Sequence, residues 1–163
     1  MALADAVLAG AAPEVAIHQS GGRMFKKIVV AIDDSEDAGK ALIKACEVAR
    51  LSNAELHLVH VADLQYLAMG AASVAMLPDE TIRYGQEILK QAEEKAEQFG
   101  GAVTASELLE GGIGASIVSH AEKIGADLIV IGSQGHSDLG GLLLGSVSHR
   151  VCNTAKCACL VVR

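Results

Sequence analysis

The chain has 163 residues, of which 51% are apolar and only 2% aromatic with no Trp: enough apolar mass for one buried core, but no large stacking platform. Thirteen Lys plus Arg against twenty Asp plus Glu give a formal charge of −7, which disfavours a general electrostatic grip on nucleic acid or anionic lipid and leaves any anionic ligand dependent on local backbone donors. No apolar run reaches the roughly 18 residues needed to cross a membrane, and the four cysteines (Cys46, Cys152, Cys157, Cys159) lack a secreted framework spacing, so a cytoplasmic, reducing location is expected.

Residues 1–23 are rich in Ala and Gly, end in a Ser20-Gly-Gly-Arg23 stretch and carry no sustained helix or strand period. They are expected to be a disordered leader, with a docking tail as the alternative, and residues 24–163 to form one domain. Lys27 to Ile32 is a short continuous apolar run rich in β-branched residues, the pattern of a strand buried on both faces. Asp33-Asp34-Ser35 supplies helix-capping types, and Ala38, Ala41, Leu42, Ala45, Cys46 and Ala49 recur at helical spacing up to Leu51.

Glu55 to Val61 predicts a second strand, and the irregular stretch 62–77 a loop with at most a helical turn. Pro78-Asp79 opens a second helix that turns Ile82, Ile88, Leu89, Ala92, Ala96 and Phe99 to the core and Glu93, Glu94, Lys95 and Glu97 to solvent. A third strand lies in Ala102 to Leu109, and a short helix runs through Ile117, Val118, Ala121 and Ile124 to Gly125. Asp127 to Ile131 is the second clean buried run. A Gly-rich loop follows it, then a helix around Ser146 to Thr154 and a last strand from Cys157 to Val162.

Strict alternation of strands and helices predicts an α/β fold, a Rossmann-like open sheet of five parallel strands with helices on both faces, because right-handed crossovers place them there. For a strand order of 3-2-1-4-5, ligands bind beyond the carboxyl ends of strands one and four, where the order reverses. The loops at that point are Asp33-Asp34-Ser35 and the stretch from Gly132 to Ser146. Gly132 and Gly135 are expected to allow positive φ and close backbone approach, and Gly145-Ser146 to open a helix whose amides point outward. Such an end suits phosphate, since the helix N-terminus adds partial positive charge and the Ser hydroxyl can donate. The alternative is that these glycines only shape a turn. Neither G-x4-G-K-[ST] nor a G-x-G-x-x-G after the first strand is present, which argues against a P-loop NTPase and a dinucleotide-dependent dehydrogenase.

Gly132-x2-Gly135-x9-Gly145-Ser146 fits the G-x2-G-x9-G-[ST] pattern of ATP-binding universal stress proteins. The opening Lys27-Ile-Val-Val-Ala-Ile-Asp33-x-Ser35, the Leu58-Val-His-Val61 strand, and Leu142-Leu-Leu-Gly-Ser-Val-Ser148 ahead of Leu160-Val-Val162 agree with it, so the chain resembles that family from Phe25 to Val162. The resemblance implies an adenine nucleotide (ATP, or ADP or AMP, with Mg²⁺) as ligand. By position it places Ala31 and Asp33 in the first nucleotide-contacting loop, with Asp33 as a ribose acceptor or Mg²⁺ ligand. Val61 would pack against adenine and meet its edge through the backbone, its other reading being an ordinary strand valine; Ile131 flanks the base. Gly132, Gly135, Gly145, Ser146 and Val147 match ribose and phosphate contacts made largely by backbone N–H groups. His136 sits in the same loop and either touches a phosphate or faces water, and Ser133 and Ser148 have weaker claims.

The chain departs from the family in its tail, where Lys156-Cys157-Ala158-Cys159 stands in place of a Cys between two prolines. Losing the prolines leaves more N–H groups on the last strand for pairing in a homodimer. Cys157 and Cys159 share a strand face, and His149 and Cys152 a helix face; these are a metal site or, since Cys commonly packs as a small hydrophobe, core residues. Three functions follow. The first is a nucleotide-binding stress-response regulator with an unknown protein partner. The second is a slow ATPase or autophosphorylating enzyme using Asp33 with His136 or Ser146, and the third a nucleotide-free dimeric interaction domain, against which the intact motif counts.

Overall fold

The computed structural model describes residues 24–63, 78–135 and 144–163. Among these residues five strands alternate with four helices: β1 (Lys27–Ala31), α1 (Glu36–Ser52), β2 (Glu55–Ala62), α2 (Pro78–Gln98), β3 (Val103–Glu110), α3 (Ile113–Ile124), β4 (Leu128–Gly132), α4 (Ser146–Thr154) and β5 (Ala158–Val162). All pairings are parallel, and the strand order is β3-β2-β1-β4-β5. This is the open Rossmann-like sheet expected from the alternation.

The central strands read as unbroken apolar runs because both of their faces are covered. Ile28, Val30, Leu56, Leu58, Leu128 and Val130 point to α1 and α2, where Ala41, Leu42, Ala45 and Leu89 meet them. Val29, Val59, Ile129 and Ile131 point the other way, to Ile117, Val118 and Ala121 of α3 and Val151 of α4. Small residues on α1 let it lie close to the sheet, so Ala and Val fill a core that has almost no aromatic rings.

Local signals set the helix ends. Ser35 caps α1 by accepting from the Ala38 N–H, acidic Glu36 and Asp37 occupy the first turn, and Asn53 closes the helix in the left-handed conformation. Gly125 closes α3 in the same way. Two expectations fail on α2. The helix stops at Gln98, so Phe99 falls past its last turn and is 48% exposed rather than in the core, while Ala96 takes the buried position one turn before it. Glu93 and Lys95 are half-buried rather than wholly solvated, because α2 lies beside α1 and Lys95 reaches over Gly39.

Candidate nucleotide-binding site

Strand order reverses between β1 and β4, so the chains leaving their carboxyl ends diverge to opposite faces and open a crevice. A cavity of about 480 Å³ fills it, within the usual range of small-molecule sites. One wall is apolar. Ala31, Val59, Val61 and Ile131 supply it from the strands, with Ile113 and Ile117 of α3 and Val147 of α4 across from them. The rim is polar and includes Asp33, Asp34, His60, Tyr84, Gln134 and Ser146.

Ala31, Asp33, Val61, Ile131, Gly132, Gly135, Ser146 and Val147, all singled out from the sequence, therefore line one cavity. Gly145 is not part of its lining: it is the buried N-cap of α4, and its N–H donates to the Ser133 carbonyl at 2.7 Å. His136 lies outside the described residues.

The positive φ expected at Gly132 and Gly135 is not found; among the described glycines only Gly100, Gly111 and Gly125 have it. Space is the constraint instead. A Cβ on Gly132 would stand 2.9 Å from both the Ala38 nitrogen and the Asp37 carbonyl carbon, so this glycine lets the end of β4 meet the first turn of α1. A Cβ on Gly135 would stand 3.2 Å from Oδ2 of Asp33, so that glycine keeps the loop close to the carboxylate.

Asp33 is held by its own turn. Its Oδ1 accepts from the Ser35 N–H at 3.0 Å and from the Ser35 hydroxyl, which orients the other oxygen toward Gly135 and the cavity. With Gly145 as cap and no side chain capping α4, the amides of Ser146, Val147 and Ser148 have no partner within the helix. The macrodipole adds partial positive charge at the same place. Ser148 and Ser133 are buried and structural: Ser148 donates to the Ser133 and Gly145 carbonyls at 2.9 and 3.0 Å, and Ser133 to Asp37 at 2.7 Å.

The site also holds groups that the sequence reading passed over. Tyr84 of α2 donates its phenol to Asp34 at 2.6 Å, a bond that raises the phenol above its ordinary 10 and keeps it protonated. The Nδ1 of His60 lies 2.7 Å from the Ile32 carbonyl, which requires an N–H there and so directs Nε2 away from the strand. Only Ile113 and Ile117 carried a sequence signal, their i,i+4 spacing on the buried face of α3. Nothing in the primary structure pairs Tyr84 with a carboxylate fifty positions away.

Among the described residues no group of three or more His, Cys, Asp or Glu side chains converges as a metal site. No helix among them is long and apolar enough to cross a membrane.

Comparison with known proteins agrees with this geometry. The family model described as the universal stress protein family matches residues 24–163. A universal stress protein of Methanocaldococcus jannaschii is 37% identical over 149 residues, 90% of this chain and 87% of that protein. Among solved structures, a universal stress protein in complex with cAMP is 30% identical with a TM-score of 0.67, covering 85% of this chain and 97% of the other. One from Archaeoglobus fulgidus in complex with dAMP is 26% identical with a TM-score of 0.66, over 85% and 98% of the two chains.

Proposed function

We propose that this chain, which belongs to the universal stress protein family, holds an adenine nucleotide, ATP foremost, in the β1–β4 crevice and passes its occupancy to a protein partner as a regulatory signal. The observation that carries this reading is one cavity joining an apolar slot to a helix N-terminus. Its wall of Ala31, Val61, Ile131 and Ile117 suits a flat base, and the amides of Ser146 and Val147 suit phosphate oxygens. The solved relatives described with cAMP and dAMP support an adenine base in the slot.

Val61 would meet the edge of the base through its backbone, and Gly132 and Gly135 would leave the ribose and the α-phosphate room beside Asp33. A Mg²⁺ ion bound with the nucleotide would need one carboxylate oxygen from the protein and the rest from phosphates and water, and Oδ2 of Asp33 fits that need. His136 and Gly145 belong to the phosphate loop in this reading, Gly145 by shaping the helix entry.

Regulation rather than catalysis follows from the donor set. Among the described residues lining the cavity there is no Lys or Arg, so the cationic cradle that lowers phosphoryl-transfer barriers is not built from them. Hydrolysis is then slow or nil. Mass spectrometry of small molecules released from the purified full chain, with calorimetric titration of ATP, ADP, AMP and cAMP, tests the reading. Saturable binding of at least one of them is expected; no affinity for any adenine nucleotide overturns it.

A further inference from the structure

Two neighbouring carboxylates stand at the rim of the cavity, and the fold ties them to different partners. Asp33 is tied by its own turn: Oδ1 accepts from Ser35, and Oδ2 lies 3.2 Å from where a Cβ on Gly135 would stand, so it faces the loop after β4. Asp34 is tied to another element. Its Oδ2 accepts from the Tyr84 phenol of α2 at 2.6 Å. The seat of Tyr84 is itself fixed, because a Cβ on the next residue, Gly85, would stand 2.6 Å from Leu108 Cδ1 and 2.8 Å from His60 Cδ2, and glycine there lets α2 lie close on β2 and β3. His60 is in turn held to the Ile32 carbonyl, and Ile88, one turn beyond Tyr84, is buried.

We propose that Tyr84 is a positioning residue for the nucleotide site: by holding Asp34 toward α2, it leaves Asp33 as the one carboxylate of the pair turned to the ligand. This rests on the nucleotide reading of the cavity and adds what sets its tolerance for ligand charge. ATP carries more negative charge than AMP, and AMP more than cAMP. Among the described residues lining the cavity there is no Lys or Arg, so a carboxylate that swings toward the phosphates weakens binding by like-charge repulsion.

An ion such as Mg²⁺ offsets the Asp33 charge when it binds with the nucleotide. The Asp34 charge is met by the phenol O–H instead, a hydrogen bond strengthened by the ionised acceptor. That bond raises the phenol above its ordinary 10, ahead of burial and the charges of Asp34 and Asp33, so Tyr84 remains a donor across the neutral range.

The test measures Kd for ATP, AMP and cAMP by calorimetry, at low salt without Mg²⁺, on the full chain and its Tyr84→Phe, Asp34→Asn and double variants, with circular dichroism as the folding control. Tyr84 is 44% exposed, so Phe keeps the ring and loses the hydroxyl without touching the core; Tyr84→Leu serves if that variant does not fold. Tyr84→Phe should weaken ATP on the order of 3- to 10-fold, AMP less and cAMP least, and added salt should shrink the loss. Asp34→Asn should restore ATP affinity in the Tyr84→Phe background and change it less in the parent, where its amide oxygen still accepts from the phenol. Unchanged ATP affinity in Tyr84→Phe, an equal loss for all three nucleotides, or a loss that Asp34→Asn does not restore overturns the inference and leaves the nucleotide reading standing. Where the parent binds one nucleotide alone, restoration by Asp34→Asn decides. A parent that binds none of the three overturns that reading, and this inference with it.

Discussion

Ser133, at the end of β4, donates its hydroxyl to Asp37 in the first turn of α1 at 2.7 Å, and so locks together the two loops that flank the crevice. The Gln134 N–H reaches the same carboxylate oxygen at 3.3 Å. Ser133 also bonds through its backbone: its N–H donates to the Val162 carbonyl and its own carbonyl accepts from the Gly145 N–H, both at 2.7 Å. One residue therefore fastens β4 to α1, β5 and the entry of α4. Asp37 is held below the usual carboxylate range, first by the Ser133 hydroxyl.

The junction leaves no room at Gly132, where an added Cβ meets backbone atoms rather than a flexible side chain. Gly132→Ala should cost about 1–3 kcal/mol of stability by overpacking, a loss of about 2–4 °C in Tm per kcal/mol for a domain of this size. Denaturant unfolding measures it. Parental stability in the variant would show that α1 and β4 separate freely here.

The phosphate grip rests on backbone amides, and Ser146 lets amide and hydroxyl be removed stepwise. Gly145 has φ −67 and ψ 162, the extended conformation that precedes proline without strain, and Ser146 is the first helical residue, where proline is tolerated. Ser146→Ala removes the hydroxyl and should weaken ATP about 5- to 150-fold, the equivalent of roughly 1–3 kcal/mol. Ser146→Pro removes the amide as well and should bind more weakly still, with unchanged Tm. Equal affinities for the Ala and Pro variants would take the amide out of the site.

Asp33→Asn keeps an Oδ1 acceptor for Ser35, and with it the turn, but removes the charge. Titration calorimetry should find Mg²⁺-dependent ATP affinity reduced and Mg²⁺-free affinity equal or higher, over an unchanged circular dichroism spectrum. An undiminished Mg²⁺ effect would place the ion elsewhere.

Acid should loosen α3 from the sheet. His120 is 4% exposed, and its Nε2, like Nδ1 of His57 on β2, has no hydrogen-bond partner. Desolvation lowers the His120 pKa below the ordinary 6.5; Glu107 on β3 opposes the shift, while His57 and Lys123 add to it. Because the folded value is the lower one, His120 stabilises the fold fully above about pH 6.5, and that contribution is lost as pH falls through 6.5 toward the folded pKa. The slope approaches about 1.4 kcal/mol per pH unit for one proton. Unfolding free energies of the parent and His120→Gln, compared from pH 7.5 to about pH 5, isolate the effect; parallel curves would assign the acid loss to other groups.

The edge of the sheet bears on assembly. Among the described residues β5 pairs only with β4, and from Cys159 to Val162 its residues are half-buried. A homodimer through this strand, held by backbone pairing and not by disulfide, should persist under reducing agent in light scattering. A reduced monomer contradicts it.

Runs such as Lys27–Ala31 and Leu128–Gly132 determined the fold locally, because a strand buried on both faces must be apolar throughout and the helices between strands leave only a parallel sheet. The capping serine at position 35 and the apolar spacing of α1 belong to the same short-range code, while Gly132, Gly135, Gly145 and Ser146 were set apart by their place in the loop after β4 and by their resemblance to the family's glycine pattern. Their separate tasks were decided by tertiary packing. Gly132 is glycine because α1 presses on it, Gly145 spends its amide on Ser133, and Phe99 is exposed because α2 ends one residue early. Tyr84 with Asp34 and His120 with Glu107 are likewise products of the fold. Each pair joins side chains from different elements, and contact across elements is set by how the layers pack, which no local pattern of residue types encodes.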